Sequence, residues 1–154
     1  MTDTRRIRPI AICVFRRNGR ILVAEGYDPV KRQTFYRPLG GTIEFGERSE
    51  QTVVRELREE AGLEVKNLRY LCTLENIFTH NGQLGHEIVQ VYDGEFCDPS
   101  VYEKEYLDCN EHVDTAHTLE VAMPFRAVWK SLDEFGPGAP LYPDGLADML
   151  MNQI

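Results

Sequence analysis

The chain has 154 residues, of which 42% are hydrophobic, and this length suits a single domain spanning residues 1–154. Its formal net charge of −8 argues against a general nucleic-acid-binding protein, because such proteins carry a basic face. No stretch reaches the roughly 20 apolar residues of a membrane span, and the N-terminal MTDTRRIRP lacks the apolar core of a signal peptide. We therefore expect a cytoplasmic protein without a nucleic-acid or membrane partner, and the sequence leaves a homodimer open.

Two short apolar segments lie near the start of the chain, at residues 9–15 and 20–26. Asn18 and Gly19 lie between them, and Asn-Gly between apolar runs is a strong hairpin signal, so the two segments are predicted to pair as strands. Residues 27–33 are predicted to be a loop, since Asp-Pro favours a turn. Arginines crowd this region and are candidates for phosphate contacts, although a solvated surface explains each one singly. They are Arg5, Arg6, Arg8, Arg16, Arg17 and Arg20.

Residues 49–61 have the pattern of an amphipathic helix. Val53 and Leu57 belong to an apolar stripe with spacings of three and four, which should dock on a sheet. Ser49 is predicted to cap the N-terminus of the helix and Gly62 its C-terminus.

The polar side of this helix carries Glu56, Glu59 and Glu60. Residues three and four apart share a helix face, so Glu56 lies beside the other two, and each like-charge pair costs a few tenths of a kcal/mol. A cation would offset this repulsion, and carboxylates suit a hard divalent ion such as Mg²⁺, with Mn²⁺ as an alternative. Taken alone, the three residues are more typical of a solvated acidic helix face than of a metal site.

The spacing around the glutamates is more specific. It runs Gly41, five residues, Glu47, seven residues, Arg55-Glu56-Leu57, one residue, Glu59-Glu60, one residue, Gly62-Leu63. Residues 41–63 thereby resemble the complete signature box of the Nudix hydrolases, with every specified position filled. Seven of these positions demand one residue type, so chance agreement is on the order of one in 10⁸ per starting point.

The resemblance implies an α/β domain with the Nudix fold, in which a mixed β-sheet is sandwiched between α-helices. It also implies a metal site whose ligands are Glu56, Glu59 and Glu60, with a backbone carbonyl of Gly40 or Gly41 as a further ligand.

By the same resemblance, Arg55 tethers Glu47 and orients the ligand carboxylates, a role that suits a forked guanidinium. An ion pair with Glu59 within the helix is the alternative. This chain departs from the Pro-Gly-Gly run common in the family, because Leu39 follows Pro38 before the two glycines. The departure puts the carbonyl ligand in doubt.

Residues 68–78 and 86–96 are predicted to form a long hairpin, since both alternate in polarity and Asn81-Gly82 lies between them. On the second strand, Glu87 shares a face with two valines. A carboxylate on an apolar face is costly unless it is paired or bound to metal, which makes Glu87 a candidate further ligand or general base. A solvated strand end is the equal alternative.

Many Nudix members carry a further glutamate outside the box, at a variable position. In one branch it precedes a tryptophan, whereas here Val128 precedes Trp129. Glu75 and Glu120 are therefore the remaining candidates beside Glu87.

The C-terminal part begins with an acidic stretch, residues 98–117, with weak helical character. It is predicted to cover the substrate end of a cleft, where Tyr102 or Tyr106 would either stack on a base or fill an apolar contact. A last strand is predicted at residues 118–132, followed by a short helix at 132–135 and a short amphipathic helix at 146–154. The four cysteines show no paired metal spacing and are expected to be free thiols.

The resemblance implies hydrolysis of a nucleoside diphosphate linked to a group X, with Glu56, Glu60 and Glu87 as the candidate bases. Residues 79–81 lack the tyrosine or proline of the dinucleoside polyphosphate and ADP-ribose subfamilies. The motifs for coenzyme A and reduced nicotinamide substrates are also missing, which leaves nucleoside triphosphates and nucleotide sugars. A catalytically silent nucleotide-binding regulatory module is the alternative, although such members usually lose box glutamates.

Overall fold

The structure is a computed structural model that describes residue 3, residues 5–115 and residues 119–153, without the side chains of residues 112–122. Its strands and helices are β1 (Arg8–Val14), β2 (Arg16–Arg17), β3 (Arg20–Asp28), β4 (Gln33–Arg37), β5 (Leu39–Thr42), α1 (Ser49–Ala61), β6 (Val65–His80), β7 (Gln83–Phe96), β8 (Tyr106–Thr115), β9 (Leu119–Ser131) and α2 (Leu146–Met151). Short 3₁₀ helices lie at Pro99–Glu103 and Leu132–Glu134.

The strands form two sheets. The first has the order β5-β1-β7-β6 and is mixed, because β1 runs parallel to β7 while the other neighbours are antiparallel. The second is antiparallel in the order β2-β3-β9-β8, with β4 also paired to β3. The chain passes from the second sheet to the first at Pro38, between β4 and β5, where proline has no N–H to continue a ladder.

Two apolar clusters lie on opposite faces of the sheets. Val53 and Leu57 of α1 pack in the first cluster with Phe15, among others. Leu146 and Leu150 of α2 pack in the second cluster, against alternate residues of β1 and β7. Successive strand residues point to opposite faces, so β1 serves both clusters and is almost wholly apolar. The predicted arrangement of a mixed sheet between helices is confirmed.

Several predicted elements are present. The hairpin of β6 and β7 closes at Asn81 and Gly82, whose φ angles of 51° and 76° are both positive, as a type I′ turn requires. Gly62 caps the C-terminus of α1, as predicted, and its backbone is in the left-handed conformation. Helix α2 and the 3₁₀ turn after β9 lie where the sequence predicts them. Within the described residues, no helix combines the length and apolarity needed to cross a bilayer.

Three predictions of local structure within the N-terminal half of the chain are wrong. The predicted Asn18-Gly19 turn is present, but it joins β2 to β3, and one hydrogen bond, from the Leu22 N–H to the Phe15 carbonyl at 3.0 Å, links segment 9–15 to segment 20–26. Strand β1 pairs with β5 and β7 in the first sheet, so the predicted pairing of the two segments is wrong beyond that bond. Strand β3 continues to Asp28 and pairs with β4, so the predicted loop shortens to a turn. The N-cap of α1 is Arg48, whose backbone N–H donates to the Gln51 side chain at 2.8 Å. Ser49 instead hydrogen-bonds Tyr92.

In the described part of the acidic stretch, residues 98–115, helical structure ends at Glu103, and residues 116 and 117 lie outside the described residues. Residues Tyr106–Thr115 form β8, which pairs along its length with β9. Pairing with an adjacent strand outweighs the weak helical propensity of this segment.

Leu57→Ala is expected to lower the free energy of unfolding by about 2–5 kcal/mol. The Leu57 side chain is fully buried where α1 packs in the first cluster, so the truncation leaves a cavity. Urea unfolding followed by circular dichroism measures this loss. Arg58→Ala on the same helix removes only an exposed ion pair with Glu64 and should cost less than about 1 kcal/mol. Equal losses in the two variants would contradict the proposed docking of the α1 stripe.

Candidate functional site

A cavity of about 310 Å³ is lined by residues from both sheets and from α1. Glu60 of α1 and Glu87 of β7 both line it, although 26 positions of sequence separate them. Arg8, Arg37 and Glu111 lie in the same walls. The cavity therefore brings together one glutamate of the box and the leading candidate outside it, with positive charge close by.

Glu56 and Glu60 form a buried carboxyl pair on one face of α1. Glu60 is 8% exposed, and a hydrogen bond joins the two side chains. Burial, followed by the charge of Glu56, raises the pKa of Glu60 to about 9. Burial also raises the pKa of Glu56, against the lowering effect of its hydrogen bonds to Glu60 and Arg55. The raised pKa of Glu60 places a proton on the pair at neutral pH, which lessens the repulsion between the two carboxyl groups.

Arg55 holds the acidic residues of the box together. Its Nε and Nη2 donate to the two carboxylate oxygens of Glu47 at 2.8 and 3.0 Å. Its Nη1 donates to Glu56 at 2.9 Å and to Glu59 at 3.2 Å, and Nη2 also donates to the backbone oxygen of Thr42 at 2.9 Å. Both the tether and the ion pair within the helix are thus present in the structure.

Glu47 fixes the loop before α1 to the helix. Besides Arg55, its carboxylate accepts hydrogen bonds from Thr52 Oγ1 at 2.6 Å and from the backbone N–H of Glu44 at 3.2 Å. The Arg55 hydrogen bond is the main cause that lowers the pKa of Glu47 to about 2. Glu47 does not line the cavity, so its contribution is to hold Arg55 in place.

Gly41, the first residue of the box, and Gly40 before it both lie where a neighbouring group approaches closely. A Cβ on Gly41 would lie 2.4–2.8 Å from the carboxylate atoms of Glu56, so only glycine allows that carboxylate against the strand. Gly40 has a φ of 154°, and a Cβ there would lie 2.0 Å from the carbonyl oxygen of Ala11. The departure at Leu39 places this side chain in the first apolar cluster.

The three glutamates of α1 are not gathered equally. Glu56 and Glu60 are in contact, whereas Glu59 is 44% exposed in its side chain and turns to Arg55. Among the described residues, no three His, Cys, Asp or Glu side chains lie close enough to hold a metal ion. A divalent cation nevertheless fits the Glu56–Glu60 pair, because metal binding to carboxylates displaces protons and would remove the one that the pair shares.

Glu87 is buried, at 5% exposure, so the alternative of a solvated strand end is wrong. One of its carboxylate oxygens lies 3.6 Å from Arg8 Nη1, and the other accepts a hydrogen bond from Asn76 Nδ2 at 3.3 Å. Glu75 is exposed and faces away, because adjacent strand residues alternate. The side chain of Glu120 lies outside the described residues.

Neither tyrosine predicted to stack on a base lies in the cavity. Tyr102 packs in the core, with its ring centroid 5.6 Å from that of Phe96 and 5.9 Å from that of Trp129. Tyr106 carries the Arg126 guanidinium 3.9 Å above its ring and lines a separate cleft.

Four phenylalanine and tyrosine residues line the cavity, and the sequence analysis missed them: Phe35, Phe78, Phe125 and Tyr142. Tyr142 lies 5.9 Å from Phe35 and 6.3 Å from Phe78, centroid to centroid. Tyr142 reaches this position because the Leu141 backbone bridges to Tyr36 of β4. No local sequence pattern signals such a contact between distant segments. The inward face of the β6–β7 hairpin, in contrast, can be predicted because side chains alternate in direction along a strand.

Comparison with known proteins concerns the family and the fold of the chain. The sequence model of the NUDIX domain matches residues 5–144. The chain is similar in fold to the MutT NUDIX hydrolase from Burkholderia pseudomallei, with a TM-score of 0.59, 21% identity, and coverage of 97% of this chain and 99% of that one. It is also similar to the E. coli ORF135 protein, with a TM-score of 0.56, 23% identity, and coverage of 96% and 91%. At these identities the likeness concerns the fold alone.

Part of the chain is also similar in sequence to proteins that share one name. The NAD-capped RNA hydrolase NudC of Pectobacterium atrosepticum is 41% identical over 75 residues, which cover 49% of this chain and 28% of the relative. The protein of the same name from Enterobacter sp. strain 638 is 44% identical over 67 residues, or 44% of this chain and 25% of the relative. The match thus spans about a quarter of these relatives. Their name includes RNA, so they do not support our expectation that nucleic acid is excluded. Because the family match extends from residue 5 to residue 144 of 154, the chain belongs to the NUDIX family of hydrolases, which act on pyrophosphate bonds.

Proposed function

We propose that this chain is a Mg²⁺-dependent hydrolase that cleaves the pyrophosphate linkage of a nucleoside diphosphate linked to a group X. The products would be a nucleoside monophosphate and phosphorylated X. The observation that carries the proposal is the Glu56–Glu60 carboxyl pair, whose buried member Glu60 lines the same cavity as Glu87. A buried pair of like charges is costly unless a cation or a proton neutralises it.

Glu56 and Glu60 are the side chains that would hold the ion. The resemblance adds Glu59 and a backbone carbonyl of Gly41 or Gly40 to this ligand set. When bound, Mg²⁺, or Mn²⁺ in its place, neutralises the diphosphate and lowers the pKa of a water molecule for attack on phosphorus.

The remaining side chains bind and orient the substrate. Arg8 and Arg37 line the cavity, where their positive charge suits phosphate oxygens. Arg55 fixes the direction of the Glu56 carboxylate through its 2.9 Å hydrogen bond. Of the three candidate bases, Glu87 has the best support, because it lines the cavity but is not part of the carboxyl pair. It would accept the proton of the attacking water.

The aromatic end of the cavity suits a nucleoside. Phe35, Phe78 and Tyr142 offer apolar ring surface in one wall, and stacking on a base tolerates any base because each has a π-face. By elimination of subfamily motifs, the substrate is a nucleoside triphosphate or a nucleotide sugar.

A second candidate substrate is NAD or an NAD-capped RNA. The observation in its favour is the 41% identity over 75 residues to a protein named NAD-capped RNA hydrolase. NAD is itself a nucleoside diphosphate linked to X, so the same cavity and carboxylates would serve. The net charge of −8 weighs against a long RNA chain, because close contact would repel its phosphates.

A panel of dGTP, UDP-glucose, ADP-ribose, NAD and an NAD-capped oligoribonucleotide separates these candidates when each is incubated with Mg²⁺ and the products are resolved by chromatography. Turnover of any one supports the proposed function and identifies X. Tight nucleotide binding without turnover of any member would favour the silent regulatory module instead.

Glu60→Gln is expected to lower turnover by at least about 10²-fold, because it removes one carboxylate from the pair that would hold the ion. The melting temperature should stay nearly unchanged, since Glu60 is already protonated at neutral pH. Glu50→Gln, an exposed position on the same helix, is the matched control and should keep full activity. Activity of Glu60→Gln within a few-fold of wild type would remove Glu60 from the mechanism.

Without divalent metal, the free energy of unfolding is expected to fall as pH rises from about 5 to 9. Glu60 has a folded pKa of about 9 against a reference value of 4.5, so over this range the folded chain binds a proton that the unfolded chain has lost. The loss should be on the order of a few kcal/mol. Urea titrations at pH 5, 7 and 9 measure it, and Mg²⁺ should stabilise the chain most at pH 9.

Two variants control this measurement. Glu60→Gln should flatten the slope between pH 5 and 9. Glu47→Gln should leave that slope intact, because the pKa of Glu47 is lowered to about 2, so its contribution is complete above about pH 4.5 and is lost only in more acidic solution. A slope that survives in Glu60→Gln would show that the carboxyl pair is not its source.

A further inference from the structure

Asn76 occupies an unusual position in the cavity wall. It is 3% exposed and lies directly across from Glu87 in the pairing of β6 with β7. Its Oδ1 accepts a hydrogen bond from the backbone N–H of Asp144 at 3.0 Å. Its Nδ2 donates to Glu87 Oε1 at 3.3 Å. One buried amide therefore joins the loop after β9 to the carboxylate on β7.

The orientation of this amide follows from its partners. The backbone N–H of Asp144 can only donate, so the oxygen of Asn76 must face it. The NH₂ group must then face Glu87, where a carboxylate oxygen accepts. A residue that served only to hold the loop would need an acceptor alone, and aspartate would supply one. Among the described residues, this NH₂ group donates to Glu87 alone.

The loop that Asn76 holds is itself part of the cavity. Tyr142 and Pro143, the two residues before Asp144, both line it. The Tyr142 backbone N–H also donates to Tyr36 of β4 at 2.8 Å. Asn76 therefore contacts both the wall that would bind the nucleoside and the carboxylate that would lie beside the reacting phosphate.

We propose that Asn76 is a positioning residue that holds Glu87 in the orientation used in hydrolysis and couples it to the wall formed by Tyr142 and Pro143. The inference rests on the proposed function, in which Glu87 acts on the substrate. Arg8 contributes a second, more exposed contact to Glu87 at 3.6 Å, which leaves Asn76 as the buried partner that sets its rotamer. The side chain of Asn76 acts through Glu87 and is not itself a catalytic residue.

A swap of donor and acceptor tests this role. Asn76→Asp has the same shape and keeps an acceptor for the Asp144 N–H, but it turns an oxygen toward Glu87. Glu87→Gln supplies a donor at the opposite position. The double variant N76D/E87Q therefore restores one donor and one acceptor across the strands, and it is expected to melt above N76D alone. It also keeps the test informative where N76D by itself is too unstable to assay.

The assay uses the full chain with Mg²⁺ and the panel substrate that the wild type hydrolyses fastest. N76D is expected to lower kcat at least tenfold, with KM within threefold of wild type, because the orientation of Glu87 changes and the walls of the cavity do not. In the E87Q background the same substitution should change kcat by less than twofold, since the carboxylate it acts through is gone.

Several results would overturn the inference. They are N76D activity within twofold of wild type, a loss of equal size in both backgrounds, and a change confined to KM. E87Q activity within twofold of wild type would also overturn it, while the proposed function, tested at Glu60, would stand. A wild-type chain that hydrolyses no member of the panel would overturn the proposed function and this inference together.

Discussion

The site depends on the guanidinium of Arg55, which contacts the side chains of Glu47, Glu56 and Glu59 and the backbone of Thr42 at once. Carboxylates crowded onto one turn of a helix repel each other, and burial makes that repulsion stronger. A planar, permanently charged group with several donors in fixed directions offsets it where a lysine would satisfy a single contact. The loop, the end of β5 and the helix are consequently held in one arrangement.

The fold supports this arrangement from behind. Val53 and Leu57 anchor α1 in the first cluster, while Gly41 lets β5 approach the helix closely enough for the Glu56 carboxylate to lie against the strand. Rigid packing of this kind keeps ligand side chains within the narrow range of geometry that a metal site tolerates. The cost of burying Glu60 appears as its raised pKa of about 9, and that same cost makes the pair receptive to a cation.

Much of the fold and part of the site could be predicted from local pattern. The α1 stripe, the cap at Gly62 and the Asn81-Gly82 turn depend on neighbours in sequence, and all three are present. Strand alternation also predicts that Glu87 shares a face with two valines, although it leaves a solvated strand end as an equal alternative that the 5% exposure of Glu87 excludes. The pairing of β1 with β7 was not predicted, because parallel pairing joins segments far apart and leaves no local signal. The helical character predicted for residues 98–117 is wrong over Tyr106–Thr115 for a similar reason. Pairing with β9 overrides the weak helical propensity of this segment.

Spacing along a single element predicts the Nudix box and the helix that carries Glu56, Glu59 and Glu60. The same spacing predicts that this helix needs a positively charged partner. Folding, in contrast, is needed to place a proton on the Glu56–Glu60 pair and to turn Glu59 toward Arg55. Folding also brings Asn76, far from the box in sequence, against Glu87. The physical reason is that burial and long-range contacts set protonation and side-chain direction, and both arise only when separate segments pack together.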